Sequence, residues 1–322
     1  MGTKELTKAP DGDLEDRLSC GVGESLVLAQ SQGVSIVIPA YNEKNGAPPV
    51  MKETLELLRR ELEGKVPFEV IVVDDGSTDG TTEALRPFEK DGVLHVIRHP
   101  RNQGYGAAIK TGIRHARHDW ILITDADGTY PAEHIPEILQ AREPESMVVG
   151  ARTGQHTHVP WLRRPPKWVL RKLAELLSGH EIPDLNSGLR VFHRDAANRF
   201  RAILPDKFSY TTTITLAMFA AGYQVTYLPI NYRKREGRSK IRPIADTLGF
   251  LKLIIRTVLF FDPLRVFLPL AVAFLIAAVG VGVGSYFVTG RVMDVTTVLL
   301  VVTGIQMLVL GMIADMLNRR LS

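Results

Sequence analysis

Residues 120–131 read WILITDADGTYP, an apolar run that ends in two carboxylates one residue apart. Residues two apart at the end of a β-strand can project to the same side, and two anions held close together repel each other unless a cation lies between them. The simpler interpretation is an Asp-Gly turn that only ends a strand. Because hard oxygen ligands suit Mg²⁺ or Mn²⁺, Asp125 and Asp127 are predicted to hold a divalent metal.

The same pattern, an apolar run followed by a helical segment, recurs on both sides of this stretch. Further runs are VSIVIP, FEVIVV, VLHVI and SMVVG, which begin at Val34, Phe68, Val93 and Ser146. Strands that are apolar throughout and alternate with helices indicate a mostly parallel sheet covered on both faces, hence an α/β fold. In such sheets ligands bind beyond the carboxyl ends of the strands, where PAYNE, DDGSTDG and DADGTYP all fall.

After Asp184 the pattern changes. LRVF, a helix near residues 211–221 and QVTYLPINYR indicate further strands that close one side of the site, and an antiparallel direction is one option for them.

The C-terminal part of the chain reads as two transmembrane helices. No side chain is charged in residues 266–290 or 295–314, and about 20 residues are enough for a helix to cross the hydrocarbon. The short connector makes the pair a hairpin, with the body and the tail on one side. The positive-inside rule places that side in the cytoplasm, because the basic residues cluster there: Arg242, Lys252, Arg256, Arg265, Arg319 and Arg320.

Four regions are therefore predicted. They are a flexible tail (1–32), a cytoplasmic α/β domain (33–240), an interfacial amphipathic segment (241–263) and the transmembrane hairpin with a short tail (264–322). In the interfacial segment Lys252 and Arg256 are four residues apart and share a helix face, which favours the membrane surface; an ordinary core helix is the alternative. The start of the chain lacks the apolar core of a signal peptide.

Charge and cysteine content narrow the partners. The net charge is +4, but the basic residues lie beside the apolar segment and in two loops. Anionic lipid or a phosphorylated substrate is therefore expected, and no nucleic acid. The single cysteine, Cys20, has no partner within the chain for a disulfide or a metal site and is interpreted as an incidental thiol.

DADGT also matches the D-x-D-x-T of haloacid dehalogenase-type phosphatases, in which the first Asp is a nucleophile. That motif normally lies on the first strand, with an acidic pair downstream. Here three strand-helix units precede it, and the acidic pair Asp74-Asp75 comes before it. The order of the motifs therefore argues against a phosphatase.

Taken together, PAYNE, DDGSTDG, RNQGYGAAIKTG and DADGTYP strongly resemble family 2 glycosyltransferases of the A-type fold, over roughly residues 35–241. With the C-terminal hairpin, the chain resembles the polyprenyl-phosphate glycosyltransferases, the group that includes dolichyl-phosphate mannose synthases. RNQGYGAAIKTG contains G-x-G, but it follows the third strand, so a dinucleotide fingerprint is not indicated.

The resemblance implies a nucleotide-diphospho-sugar transferase domain and assigns roles to its residues. Asp125 and Asp127 would hold Mg²⁺ or Mn²⁺ against the diphosphate, and Asp74 or Asp75 would contact the base or ribose. The remaining residues of the implied donor site are Pro39, Tyr41, Glu43, Lys110 and Ala126. Asp79 is expected only to cap the following helix.

The resemblance assigns two further segments, and the chemistry of arginine suggests a third. DLNSGLR, residues 184–190, resembles D-x-x-S-G-F-R, with Leu189 where Phe is usual, so the segment would face the sugar or acceptor; a helix or turn cap is the alternative for Asp184. REGRSK resembles a basic loop that closes over the diphosphate, and a solvated charge run is its alternative; it supplies Arg235, Arg238, Ser239 and Lys240. Arginines match phosphate with a fork of donors, and the candidates for the acceptor phosphate are Arg152, Arg163, Arg164 and Arg171. Attraction of residues 163–172 to anionic lipid is the alternative.

The sequence thus predicts an inverting, metal-dependent transfer of one sugar from a GDP- or UDP-sugar to a polyprenyl phosphate at the cytoplasmic membrane face. A processive polysaccharide synthase is the nearest alternative, although Q-x-x-R-W is absent from the sequence. A non-catalytic, membrane-anchored nucleotide-sugar-binding subunit is the other. A homo-oligomer is an open option, since a two-helix hairpin can pack against copies of itself.

Overall fold

The computed structural model describes residues 33–144, 146–154, 171–207, 209–233, 243–290 and 295–321, except residues 173 and 177. The predicted tail (1–32), most of the basic segment 163–172 and the REGRSK segment lie outside the described residues.

Seven strands form one sheet: β1 (Val34–Ala40), β2 (Phe68–Asp74), β3 (Leu94–Arg98), β4 (Trp120–Ile123), β5 (Ser146–Ala151), β6 (Arg190–His193) and β7 (Gln224–Pro229). Their order is β3-β2-β1-β4-β6-β5-β7. Strand β6 is antiparallel to both of its neighbours, and every other pairing is parallel. The mostly parallel sheet predicted from the apolar runs is confirmed.

Nine helices are described: α1 (Ala47–Leu62), α2 (Thr81–Leu85), α3 (Tyr105–His115), α4 (Ile135–Gln140), α5 (Arg194–Arg199), α6 (Tyr210–Ala220), α7 (Pro243–Phe261), α8 (Leu264–Thr289) and α9 (Val295–Leu321). Short 3₁₀ helices occupy Arg86–Asp91 and Ala132–His134. Helix α1 begins with prolines in its first turn, where a missing N–H costs nothing.

The helices cover both faces of the sheet. Side chains of α1 and α4 pack on one face, and those of α3, α5 and α6 pack on the other. Helix α3 approaches the sheet closely at Gly112, where an added Cβ would lie 2.3 Å from Val37 Cγ1. This close approach fixes the position of α3 relative to the strand ends.

The direction of β6 decides what surrounds the site. In an antiparallel pair the start of one strand lies beside the end of the other, and Ile123 at the end of β4 pairs with Arg190 at the start of β6. The DLNSGLR segment that precedes β6 therefore lies at the same edge as the carboxyl ends of the six other strands.

The antiparallel option is correct for LRVF, which is β6, but β7 runs parallel to β5. The reason is the path of the chain between β6 and β7. Residues that follow β6 return to the edge bearing the carboxyl ends, where Asp206 contacts the start of α3. Helix α6 then leads back to the opposite edge, and β7 begins there beside Ser146.

Helix α7 packs one side against the body. Ile254 and Val258 are buried with Leu216 and Phe219 of α6, whereas Lys252 and Arg256 are exposed. The two charged residues thus share an outward face, as their spacing predicted.

Helices α8 and α9 form an antiparallel pair, since Gly304 packs against Leu275 and Gly311 against Phe267. Residues Leu264–Val288 and Val295–Leu317 are long and apolar enough to cross a membrane. Only 17% and 11% of their most apolar windows are buried, whereas a core helix of similar composition would be mostly covered. The two apolar helices predicted from the sequence are therefore present and largely unburied.

Candidate functional site

Five loops of the candidate site lie along one edge of the sheet. They follow β1, β2, β4 and β5 and precede β6, because these strand ends all point the same way. Parallel α/β sheets bind ligands at this edge. The structure therefore brings PAYNE, DDGSTDG, DADGTYP, Arg152 and DLNSGLR together, as predicted.

Asp125 and Asp127 follow β4 and are both half-buried. The Tyr105 hydroxyl donates a hydrogen bond of 3.0 Å to Asp125 Oδ1. Burial raises the pKa of Tyr105 well above its ordinary value, so this phenol is protonated and donates at neutral pH. The carboxylate of Asp125 is thus held by a neutral donor from α3.

Asp127 is engaged in its own turn. Its Oδ1 accepts hydrogen bonds from the Thr129 amide at 3.1 Å and the Thr129 hydroxyl at 2.6 Å, and Gly128 adopts a φ of +71°. The Asp-Gly turn considered from the sequence is therefore present. It also orients the carboxylate, so the turn and metal binding are compatible.

The two carboxylates fit a hard divalent cation by their chemistry. Among the described residues no three His, Cys, Asp or Glu side chains form a metal-binding group. Magnesium in phosphate-handling sites commonly uses one or two carboxylates and takes its remaining ligands from phosphate oxygens and water. Asp125 and Asp127 match that pattern, and Ala126 between them is buried.

Asp74 and Asp75 are both buried and accept hydrogen bonds from the chain itself. Asp74 accepts from the Ser77 amide at 2.9 Å and from the Thr82 hydroxyl. Asp75 accepts from the amides of Gln103 and Gly104, each at 2.8 Å, and lies 2.7 Å from His99 Nδ1. The two carboxylates organise the loops after β2 and β3, and their predicted contact with the base or ribose stays a prediction.

The loop after β1 is connected to the loop after β2. The Asn42 amide donates to the Ser77 hydroxyl and the Glu43 amide to the Thr81 hydroxyl, at 2.8 and 2.9 Å. Asp79 accepts from the Thr81 amide at 3.0 Å, which is the helix-start contact expected for it. Three of the predicted donor-site residues are half-buried along this rim: Pro39, Tyr41 and Glu43.

Arg152 and Asp184 form a two-pronged ion pair. Arg152 Nε and a terminal guanidinium nitrogen donate to the two oxygens of Asp184 at 2.6 and 2.7 Å, and the Arg152 amide donates as well at 3.1 Å. Burial opposes ionisation of Asp184, but the charge and hydrogen bonds of Arg152 outweigh it, so the pKa of Asp184 lies below its ordinary value. Arg152 was predicted to contact the acceptor phosphate, and Asp184 the sugar or acceptor. In the structure the two side chains pair with each other.

Lys110 has structural partners in the turn before α6. Its ammonium group donates to the Leu204 carbonyl and lies 2.8 Å from Asp206 Oδ1, so it anchors α3 to the turn before α6. Its predicted contact with the donor stays a prediction.

Arg190, the last residue of the DLNSGLR motif, received no role of its own from the sequence and is fully buried beneath the site. Its guanidinium donates to the carbonyls of Ser187 and Thr211 and to the Thr215 hydroxyl. Burial lowers the pKa of Arg190. The sequence does carry a signal for this buried arginine. A strand buried on both faces normally has only apolar residues, yet a basic residue stands at the start of RVF.

Of the acceptor-phosphate candidates besides Arg152, only Arg171 is described. It lies near the carboxylate of Glu175, with Nε 3.5 Å from Oε1. Its role stays a prediction. Arg163, Arg164, Arg235, Arg238, Ser239 and Lys240 fall outside the described residues.

The chain matches two family models. The model for glycosyl transferase family 2 matches residues 35–201, and one described as the GtrB C-terminal hairpin matches residues 262–319. The chain therefore belongs to glycosyl transferase family 2, which confirms the predicted family.

Two relatives have named activities. A dolichyl-phosphate beta-glucosyltransferase of Trichomonas vaginalis is 33% identical over 176 residues, which cover 51% of this chain and 54% of the relative. An undecaprenyl-phosphate 4-deoxy-4-formamido-L-arabinose transferase of Edwardsiella ictaluri is 26% identical over 305 residues, 89% of each chain. The chain thus spans about half the length of the Trichomonas relative and most of the bacterial one.

A solved structure shares the fold. Glucosyl-3-phosphoglycerate synthase of Mycobacterium tuberculosis, crystallised with Mn²⁺, uridine diphosphate and phosphoglyceric acid, gives a TM-score of 0.55 at 19% identity. The match covers 74% of this chain and 82% of that one. The predicted A-type nucleotide-sugar transferase fold is confirmed.

Proposed function

We propose that this protein transfers one sugar, with inversion, from a nucleotide-diphospho-sugar to a polyprenyl phosphate. The observation that carries the proposal is the pair of half-buried carboxylates, Asp125 and Asp127, at the ligand-binding edge of a family 2 glycosyltransferase domain. The named activities of the two relatives, on dolichyl and undecaprenyl phosphates, support the acceptor class.

In this proposal the donor lies along the rim formed by the loops after β1, β2 and β4. A divalent cation held by Asp125 and Asp127 would neutralise charge on the departing diphosphate. The buried Asp74 and Asp75 keep the rim in shape through their hydrogen bonds to Ser77, Gln103 and Gly104. A pre-shaped rim reduces the entropy cost of orienting the donor.

The basic segment 235–240 is proposed to close over the diphosphate. Support comes from Arg233, two residues before the segment, since its amide donates to the Thr129 carbonyl at 2.9 Å. The Arg233 guanidinium makes two hydrogen bonds with Glu53, of 3.0 and 3.1 Å. The described part of the chain therefore ends beside the DADGT turn, two residues before this segment.

The acceptor needs placement more than activation. A phosphate monoester is already anionic near neutral pH, so its oxygen can attack the anomeric carbon without a strong general base. We propose that arginines of the segment 163–171 compensate its charge. The Arg152–Asp184 pair holds the end of β5 against the loop before β6.

We also propose that α8 and α9 cross the membrane, that α7 lies at its surface and that the α/β domain faces the cytoplasm. The exposed apolar surface of the two long helices and the match to the hairpin family support the first part. The basic residues that flank both spans support the orientation. A lipid acceptor explains why a catalytic domain would be anchored in this way.

The test is transfer of radiolabelled sugar into an organic-extractable lipid, using UDP- and GDP-sugars, polyprenyl phosphate and Mg²⁺ or Mn²⁺. Wild type should form lipid-linked product, and Asp127→Asn should lose at least about 100-fold of that activity, in line with the several kcal/mol attributed to a catalytic metal. Asp195→Asn is the matched control, because Asp195 is 81% exposed and follows β6 at the opposite edge. No product from any donor with wild type would refute the proposal.

A further inference from the structure

The carboxylate of Asp125 is enclosed on two sides. The Tyr105 hydroxyl contacts Oδ1 at 3.0 Å. On a second side lies the backbone of Gly188, where an added Cβ would be 2.7 Å from Oδ2 and 2.9 Å from both Cγ and Oδ1. The Tyr105 hydrogen bond and the close approach of Gly188 come from segments distant in sequence, and together they limit the orientations open to the carboxylate.

The side formed by Tyr105 is itself held firmly. The preceding amide, that of Gly104, donates to Asp75 Oδ2 at 2.8 Å. The Ala107 amide donates to the Asp206 carbonyl at 3.0 Å. The first turn of α3 is thus tied to the loop after β2 at one end and to the turn before α6 at the other, so the phenol has a fixed position.

The side formed by Gly188 is equally constrained. Its amide donates to the Tyr130 hydroxyl at 2.6 Å. The neighbouring Ser187 hydroxyl donates to the Gly150 carbonyl, and the Ser187 carbonyl accepts from buried Arg190. The requirement for glycine at residue 188 therefore comes from Asp125, because any side chain would displace the carboxylate.

We propose that Tyr105 is a positioning residue for the divalent cation: its hydroxyl fixes Asp125 between α3 and the Gly188 backbone in the orientation that binds metal. The inference rests on the proposed function. A carboxylate that is already oriented loses less freedom when a cation binds, and hydrogen-bond partners of metal ligands typically change metal affinity by about 10- to 100-fold. Tyr105 thereby connects Asp75 and the RNQGYG segment to the DADGT turn.

The test is a titration of the full-length protein in detergent with Mn²⁺, with unbound Mn²⁺ measured by electron paramagnetic resonance, in the presence of UDP and, separately, GDP. Tyr105→Phe keeps the ring and removes only the hydroxyl, and we expect its Mn²⁺ dissociation constant to rise about tenfold. Tyr210→Phe is the control, because Tyr210 is fully buried and its hydroxyl has no hydrogen-bond partner among the described residues.

A rise in the Mn²⁺ dissociation constant that is confined to Tyr105→Phe supports the inference. A matching increase in the Mn²⁺ concentration needed for half-maximal sugar transfer, with an unchanged melting temperature, supports it as well. Equal Mn²⁺ affinity in wild type and Tyr105→Phe overturns the inference and leaves the proposed function standing. If wild type binds no Mn²⁺ with either nucleotide, the metal site of the proposed function fails, and the role of Tyr105 fails with it.

Discussion

At the scale of single residues, Arg152 and Asp184 illustrate how a partly buried charge is stabilised at the site. Their side chains are 22% and 10% exposed, so each loses much of its hydration. Three hydrogen bonds from Arg152 to one carboxylate compensate that loss. Removing one member of such a pair is costly because the other is left buried without its partner.

We therefore predict that Asp184→Asn lowers the free energy of unfolding by about 3 kcal/mol. Arg152→Met should cost a similar amount, and the double variant should lose less than the sum of the two, because the residues share one interaction. Thermal and denaturant unfolding of the four proteins measure the cycle. Additive losses would show that the pair does not couple.

The pH dependence of this pair has a definite sign. Because the pKa of Asp184 in the folded protein is lowered, its contribution is fully present above the ordinary aspartate pKa of about 4. It is lost only as the pH falls through the lower folded value. The stability difference between wild type and Asp184→Asn should therefore stay constant from about pH 5 to pH 8.

At the scale of elements, the contact between α3 and β1 depends on the absence of a side chain at Gly112. An added methyl would lie 2.3 Å from Val37 Cγ1, well inside van der Waals contact. The helix would have to move off the sheet, and Tyr105 at its first turn would move with it. The packing of α3 thus bears on the geometry of Asp125.

We predict that Gly112→Ala lowers the free energy of unfolding by about 1–3 kcal/mol, the usual cost of overpacking. Adding Val37→Ala should recover part of the loss, because the second change makes room for the new methyl group. Melting temperatures of the two variants measure the effect. Gly284→Ala is the control, since a Cβ there meets no atom within 4 Å; an equal loss in the control would contradict the packing explanation.

The elements that the sequence predicted well are those specified by local pattern. The runs of β1, β2 and β4 are short, contain β-branched residues and are followed by turn residues, which together favour buried strands over helices and locate the binding edge. The direction of β7 was not predictable in this way, because it depends on the return path of residues 194–220 rather than on any local signal.

The site was predicted less completely, again because several of its contacts depend on the path of the chain and not on a local pattern. Asp125 and Asp127 can be read from one strand end, whereas the Arg152–Asp184 pair exists only because β6 inserts beside β5. Arg190 conflicts with the apolar pattern of its own strand, and only the carbonyls around it explain its burial. The contacts of Lys110 with the Leu204 carbonyl and Asp206 were likewise not visible in the sequence, because about 95 residues separate the partners.

At the scale of the whole molecule, the proposed hairpin of α8 and α9 predicts that the connector between them lies on the side of the membrane opposite to the α/β domain. In intact cells, a membrane-impermeant maleimide should label a cysteine placed at Val292, between the two spans, in a Cys20→Ala background. In the otherwise unchanged protein, Cys20, the single cysteine, should react only after the membrane is opened. Labelling of Cys20 in intact cells would show that the α/β domain lies on the outer side of the membrane, opposite to the proposed orientation.

The position of β6 between β4 and β5 also governs how the chain must fold during synthesis. Strands β4 and β5 are separated in the sheet by β6, which leaves the ribosome later than either of them. Until then the strands on each side of the gap present unpaired edges, which are prone to join other chains. A nascent chain stalled before Arg190 lacks both β6 and β7, so one edge of β4 and both edges of β5 stay unpaired, which makes it a natural target for chaperones and proteases.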